Sequence, residues 1–325
     1  MDEVTGLTPR PAKIAGFWRR LFAFCLDGLF LGLFGACIGL VAYDRLVALG
    51  DWGRAVGFAI ALVYFGVMDS ELSGGQTPGK RILAIKVVRA NGAPLSVSGS
   101  TLRATIFCVP YFLNGAFIDA GVITSWLMTF LVFGVGVSIA YLLLFNRLTR
   151  QSLHDLAVGS YVVSNKSDDS IGETKRMWPV HFGAVGLILT ASLTLPYFAQ
   201  RLESSVPFAV LLSVQQALQQ DPDVRQATAV VSVSKFFGKN QSATTTHIFI
   251  SNIVLSRQVT DFDSLSNRLA RIILDRDPSA EKEDKIAISI RYGYDIGIAS
   301  AWRSRVFAFS PDQWRKRLSR HPVSR

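Results

Sequence analysis

From Leu21 to Tyr43 the chain carries a single charged residue, Asp27, in a run otherwise built from apolar and small side chains. A segment of about 20 apolar residues is long enough to cross a bilayer as a helix, and a helix satisfies its own backbone in lipid. Four more apolar stretches follow: Ala55–Met68, Ala104–Ile118, Ala120–Asn146 and Met177–Gln200. The second is short, with Trp52 ahead of it as an interface anchor, and the third is interrupted by Pro110 and Asn114. Of the 325 residues 50% are hydrophobic and 18% charged. That balance suits a membrane protein with a soluble part attached.

The net charge is +10. The basic residues gather beside the apolar runs, as in proteins held against anionic lipid, so the bilayer and not a nucleic acid is the expected partner. With five spans and the N-terminus inside, fourteen Lys and Arg fall in the inner segments, among them Arg19, Arg20, Lys80 and Arg103. The short outer loops hold only Arg45 and Arg54. The positive-inside bias then predicts a cytoplasmic N-terminus and a C-terminal region on the opposite side. If Ala104–Ile118 does not cross, that region falls inside.

Asp27 sits about 9 Å below the start of its run at 1.5 Å per residue. A charge at a helix centre costs about 2.5–3.5 kcal/mol on an insertion scale. The twelve Leu, Ile, Phe and Val residues of the run offset this, so insertion does not explain the carboxylate. It is expected to face the bundle and find a partner. Arg20, two turns earlier, is the candidate, across an axial gap of about 10 Å that a cation, a water or a basic group from another segment would bridge. The alternative is a hydrogen bond that packs helices.

Gly74, Gly79 and Lys80 have the spacing of a P-loop, but Arg81 stands where Ser or Thr would hold magnesium. A strand is expected next, where phosphate would need a helix N-terminus, so nucleotide is not the expected ligand. Ile82–Arg89 alternates, Asn91-Gly92 is a tight-turn signal, and Leu95–Ser98 is expected to return as the second strand of a hairpin. His154-Asp155 is a candidate proton pair, with Arg147 and Arg150 as alternative partners for the aspartate. Cys25, Cys37 and Cys108 read as small buried hydrophobes. His154, His181, His247 and His321 are scattered, and no metal or hydrolase motif occurs. No enzyme, cofactor or metal is expected.

Beyond the fifth run the pattern changes. Phe208–Gln220 reads as a helix, Ala227–Phe237 and Thr244–Leu255 as strands, and Asp261–Asp275 as a capped helix. Lys285–Tyr294 and Ile296–Phe309 read as strands, and a short helix follows Ser310. The order α-β-β-α-β-β(-α) predicts a soluble α+β domain.

Three blocks in this sequence, "FWRRLFAFCLDGLF", "GQTPGKRILAIKVVRANGAPLS" and "RQSLHDLAVGSYVV", together resemble the bacterial RDD family of membrane proteins, named for one arginine and two aspartates. By motif Arg20 takes the arginine place, Asp27 the first aspartate and Asp155 the second, and Gly75, Gln76, Thr77, Pro78, Gly79 and Lys80 match a further family feature. The resemblance covers about residues 14–165. It implies a four-helix membrane unit in the bacterial inner membrane, with transport of small ligands, or cation/proton antiport, suggested for some members. The fifth span and the tail lie outside the usual family core. The expected architecture is an α-helical polytopic membrane protein. An RDD-type unit spans 1–165, a linker and fifth transmembrane helix 166–202, and an α+β domain 203–325, expected on the periplasmic side. Two functions are expected. In the first, a polar cluster of Arg20, Asp27, His154 and Asp155 binds a cation or proton for transport, in a homo-oligomer. In the second, the membrane unit anchors an assembly and the tail binds a protein partner.

Overall fold

The computed structural model describes residues 13–115, 121–165, 176–203, 205–236 and 244–320. They form two compact units, one drawn mainly from residues up to Pro196 and the other mainly from Tyr197 onward.

The first unit is helical. Helix α1, Phe17–Leu49, bends at Ala42, where the backbone leaves helical angles. Helix α2, Gly53–Met68, follows. A one-turn helix α3, Pro78–Ile82, and a strand β1, Ile85–Arg89, form the next connection. Helix α4, Val97–Leu113, carries Pro110; the end of its apolar stretch at Ile118 lies outside the described residues. Helices α5, Val122–Thr129, and α6, Gly136–Phe145, continue through a π-helical stretch at Phe130–Val135. Then come the short α7, Leu153–Ala157, strand β2, Ser160–Ser164, and α8, Val180–Glu203. Among the described residues three segments are long and apolar enough to cross a membrane: Phe17–Met68, which holds α1 and α2, then Val122–Phe145 and Val180–Leu202. Leu31, Ala61, Phe65, Ala104, Cys108 and Phe112 meet between α1, α2 and α4. Tyr141 on α6 and His181 on α8 share a hydrogen bond of 3.1 Å.

Two expectations are corrected here. Cys108 is buried, but Cys25 and Cys37 lie on the exposed side of α1. In a lipid-facing helix an apolar neighbourhood does not mean the interior, because the outer surface is apolar as well. The hairpin does not form either. Asn91-Gly92 does turn the chain, with the Arg89 N–H donating to the Ala93 carbonyl at 2.7 Å. Ser96 then caps α4, accepting from the Gly99 N–H at 3.3 Å, so the residues expected to return as a strand enter a helix. The partner of β1 is instead β2, antiparallel, with Val87 opposite Val162. Ile85, Val87, Leu95 and Val162 bury one face of this ribbon against Ala15 and Ala23. The ribbon brings the connection after α2 beside the connection after α6.

The second unit contains a four-stranded sheet in the order β3-β4-β5-β6. Its strands are Val224–Phe236, Thr244–Leu255, Lys285–Asp295 and Ser300–Phe309. Strands β3 and β4 are antiparallel, β4 and β5 parallel. The turn expected at 238–243 lies outside the described residues. Helices α9, Val206–Gln219, α10, Phe262–Arg276, and α11, Pro311–Arg320, complete the unit. Asp261 caps α10 by accepting from the Ser264 N–H at 2.9 Å. Period-two apolar residues from the strands (Phe249, Ile253, Ile286, Ile288) pack with Leu218, Leu269 and Trp314 from the helices into one core. The Trp314 indole N–H is satisfied by the Ile286 carbonyl at 3.0 Å.

Candidate functional site

The Gly75–Lys80 loop explains its own composition once its target is seen. Asp27 on α1 is 1% exposed, and a carboxylate so placed needs donors. The loop and α2 supply three. The Thr77 hydroxyl donates to Oδ2 at 2.6 Å. The Gly79 N–H donates to Oδ1 at 2.8 Å, and the Tyr64 hydroxyl to the same atom at 2.8 Å. Thr77 also caps α3, accepting from the Lys80 N–H at 3.2 Å, and Pro78 starts that helix with the φ it requires. At Gly79 a Cβ would stand 2.2 Å from the Ala23 carbonyl oxygen, so only glycine lets α3 approach α1. Gly75 adopts φ +72°, and a Cβ there would meet the Val87 carbonyl oxygen at 2.2 Å. Gln76 donates to the Ile85 carbonyl at 2.9 Å and pins β1. The expectation that a strand directly follows Lys80 is thus corrected: one helical turn intervenes, because its N-terminal N–H groups are wanted at Asp27.

Beside this cradle runs a chain of alternating charges. Arg20 on α1 donates to Asp155 Oδ2 at 2.6 Å and to the Arg150 carbonyl. Arg103 on α4 donates to Asp155 Oδ1 through Nε at 2.9 Å and Nη2 at 2.8 Å. Its Nη1 reaches Asp69 Oδ2 at 2.7 Å. The other Asp69 oxygen takes the Lys80 ammonium. Asp155 also accepts from the Ser152 N–H at 3.1 Å, closing a capping box on α7. Burial opposes its charge, but the guanidiniums of Arg20 and Arg103 outweigh that and hold the carboxyl well below its ordinary range. Burial pushes the Lys80 ammonium down, helped by the nearby Arg103, against the pull of Asp69.

His154 stands beside this chain, its Nε2 3.5 Å from Asp155 Oδ1 and its ring edge-on to Phe107. Burial first, then the cations Arg103, Arg20 and Lys80, outweigh the attraction of Asp155 and push the imidazole down to about 3, so it is neutral at physiological pH. Its Nδ1 is buried and has no hydrogen-bond partner among the described residues. Arg20, Asp27, Asp69, Lys80, Arg103 and His154 all line a cavity of about 220 Å³, whose remaining wall includes Phe24, Phe65, Phe107 and Leu143.

Arg20, Asp27, His154, Asp155 and Lys80 therefore come together as one site, with changed partners. Arg20 does not serve Asp27 through a bridge; it pairs with Asp155. Arg147 and Arg150 do not neutralise Asp155 by side chain, since Arg20 and Arg103 occupy it. Sequence reasoning gave Arg103 only a part in the charge bias and overlooked Asp69 and Tyr64. A lone arginine opening the third apolar stretch and a lone aspartate closing the second were the available signals.

The fold and site define a helical membrane protein organised around a buried ion network, with a sheet-containing domain after it. Residues 14–159 match the RDD family, so the chain carries an RDD domain, followed by a further apolar helix and that C-terminal domain. Over 150 residues, 46% of this chain and 84% of the relative, it is 26% identical to "Uncharacterized protein YckC" of Bacillus subtilis (strain 168). No solved structure matches.

Proposed function

We propose that the RDD unit carries a small solute across the bacterial inner membrane, with a cation or a proton as the coupling ion. The observation that supports this is the cavity of about 220 Å³ walled by Arg20, Asp27, Asp69, Lys80, Arg103 and His154. Ionisable groups inside a membrane protein are costly, and a set of them around a cavity is a functional arrangement before it is a structural one. Arginine keeps its proton in proteins. Within the network, entry of the coupling ion would break one pair and re-form another, and Lys80, held by Asp69, is one of the pairs it would meet. No enzymatic step is part of this reading. The N-terminus is cytoplasmic and the C-terminal domain periplasmic under the five-span arrangement, and a unit with so few helices works as a homo-oligomer.

A second reading has its own support. Asp27 receives three hydrogen bonds, which suits a packing role, and the C-terminal unit has a separate core. On this reading the membrane unit anchors a domain that binds a protein partner. Proton flux in everted vesicles on adding sodium or potassium separates the two. The carrier reading expects cation-dependent flux in wild type and its loss in Asp27→Asn at equal expression. Flux equal to that of vesicles lacking the protein would overturn it in favour of the anchor.

A further inference from the structure

A second, apolar cavity of about 70 Å³ lies next to the first and shares Phe24, Phe65 and Phe107 with it; Leu31, Ala61 and Phe112 are among its other walls. From Arg20 to Leu31 the two follow about 16 Å of α1 at 1.5 Å per residue. One end is ringed by charge and the other by aromatic and aliphatic groups. Phe24 belongs to both walls and is itself 40% exposed on the outer surface of α1.

The polar end carries a specific demand. Its cations are each engaged by a carboxylate: Arg20 and Arg103 by Asp155, Arg103 and Lys80 by Asp69. A charged head group would have to break one of these pairs, and breaking a buried pair is costly. His154 is different. Among the described residues it is the one group of the polar wall with a buried side-chain nitrogen that lacks a partner. The carboxylate 3.5 Å from Nε2 favours the tautomer with its proton there, which leaves Nδ1 as an acceptor.

We infer that the paired cavities hold an uncharged, single-chain amphiphile whose hydroxyl or amide head donates a hydrogen bond to His154 Nδ1 and whose chain lies among Phe24, Phe65 and Phe107. This names the substrate class for the site under Proposed function and rests on that reading of the cavity. Uptake needs no ion pair to open, and the chain enters from lipid past Phe24.

The test uses the full chain in phosphatidylcholine nanodiscs, with tritiated 1-decanol and tritiated decanoate as probes at a pH where the acid is ionised. Saturable decanol binding is expected, with decanoate weaker by about tenfold or more, and His154→Phe lowering decanol affinity by about tenfold, the size of one unmade buried hydrogen bond. His154→Gln, whose carbonyl accepts, should retain most of it. Ala61→Phe should weaken 1-decanol and spare 1-pentanol, a readout independent of His154. Decanoate binding as tightly as decanol would overturn the uncharged head. Absence of any saturable decanol component, with cation-dependent proton flux intact, would overturn the amphiphile and leave the carrier standing. Saturable decanol binding without flux would leave the site standing and remove the carrier.

Discussion

At the scale of residues, the site depends on buried charges that have few alternatives. Among the described residues Arg103 alone reaches both Asp155 and Asp69. Removing one partner of a buried ion pair costs about 3–5 kcal/mol. Arg103→Met is therefore expected to lower the melting midpoint of the purified protein far more than Arg81→Met, whose guanidinium makes exposed bonds to Ser73. Equal midpoints would contradict the network. Asp27→Ala strands the Thr77 and Tyr64 hydroxyls and the Gly79 N–H, at about 1–3 kcal/mol for each donor left unmade. Asp27→Asn, which keeps one acceptor oxygen, should melt between wild type and Asp27→Ala. His154 gives a signed pH dependence. Its folded pKa of about 3 lies below the unfolded value of about 6.5, so between these the unfolded chain binds a proton that the folded chain does not. Its contribution to stability is complete above about pH 6.5 and is lost as the pH falls toward 3. Between about pH 7 and about pH 5 the wild type should lose more stability than His154→Gln in denaturant titrations, and parallel profiles would refute this environment for His154.

At the scale of elements, the β1–β2 ribbon holds the two loops of the site together, and it is the feature the sequence concealed. A short alternating strand declares which face is buried but not which edge it will pair with, and Ser96 spends the nearer candidate on a helix cap. Residues across an antiparallel pair stand about 4.5–5.5 Å apart at Cα, within disulfide range. In a chain whose three cysteines are replaced, Val87→Cys with Val162→Cys should crosslink under mild oxidation. Lys86→Cys with Val97→Cys, which a hairpin turning at Asn91-Gly92 would set opposite each other, should not, and the reverse result would restore the hairpin. The apolar helices were legible because crossing lipid imposes a minimum length and composition that few other folds require. Asp27 was legible as a lone carboxylate in an apolar run, Arg20 as a basic residue two turns before it and Asp155 as half of a His-Asp pair, and the motifs grouped the three. Their pairings were not, since Arg20 and Asp155 are far apart in sequence and meet only through the ribbon. Asp69 and Arg103 were hidden in plain view, because one charge at the end of an apolar run reads as an interfacial residue until its tertiary partner is known.

At the scale of the whole molecule, an RDD domain is followed by an apolar helix and a sheet-containing domain with its own core. Under the proposed five crossings with a cytoplasmic N-terminus, a C-terminal alkaline phosphatase fusion is expected to be active in cells; an inactive fusion, shown to be made, would rule out five crossings. In the proposed function the charged cavity is where the membrane unit works and is not merely where it is held together. Leu143 lines that cavity, and no hydrogen bond of the network runs through its side chain. The decisive measurement is cation-dependent proton flux in vesicles carrying Leu143→Trp, made alongside the melting midpoint of the same variant. A filled cavity with wild-type stability and little or no flux is the predicted result. Wild-type flux through a stably folded Leu143→Trp protein would contradict the claim.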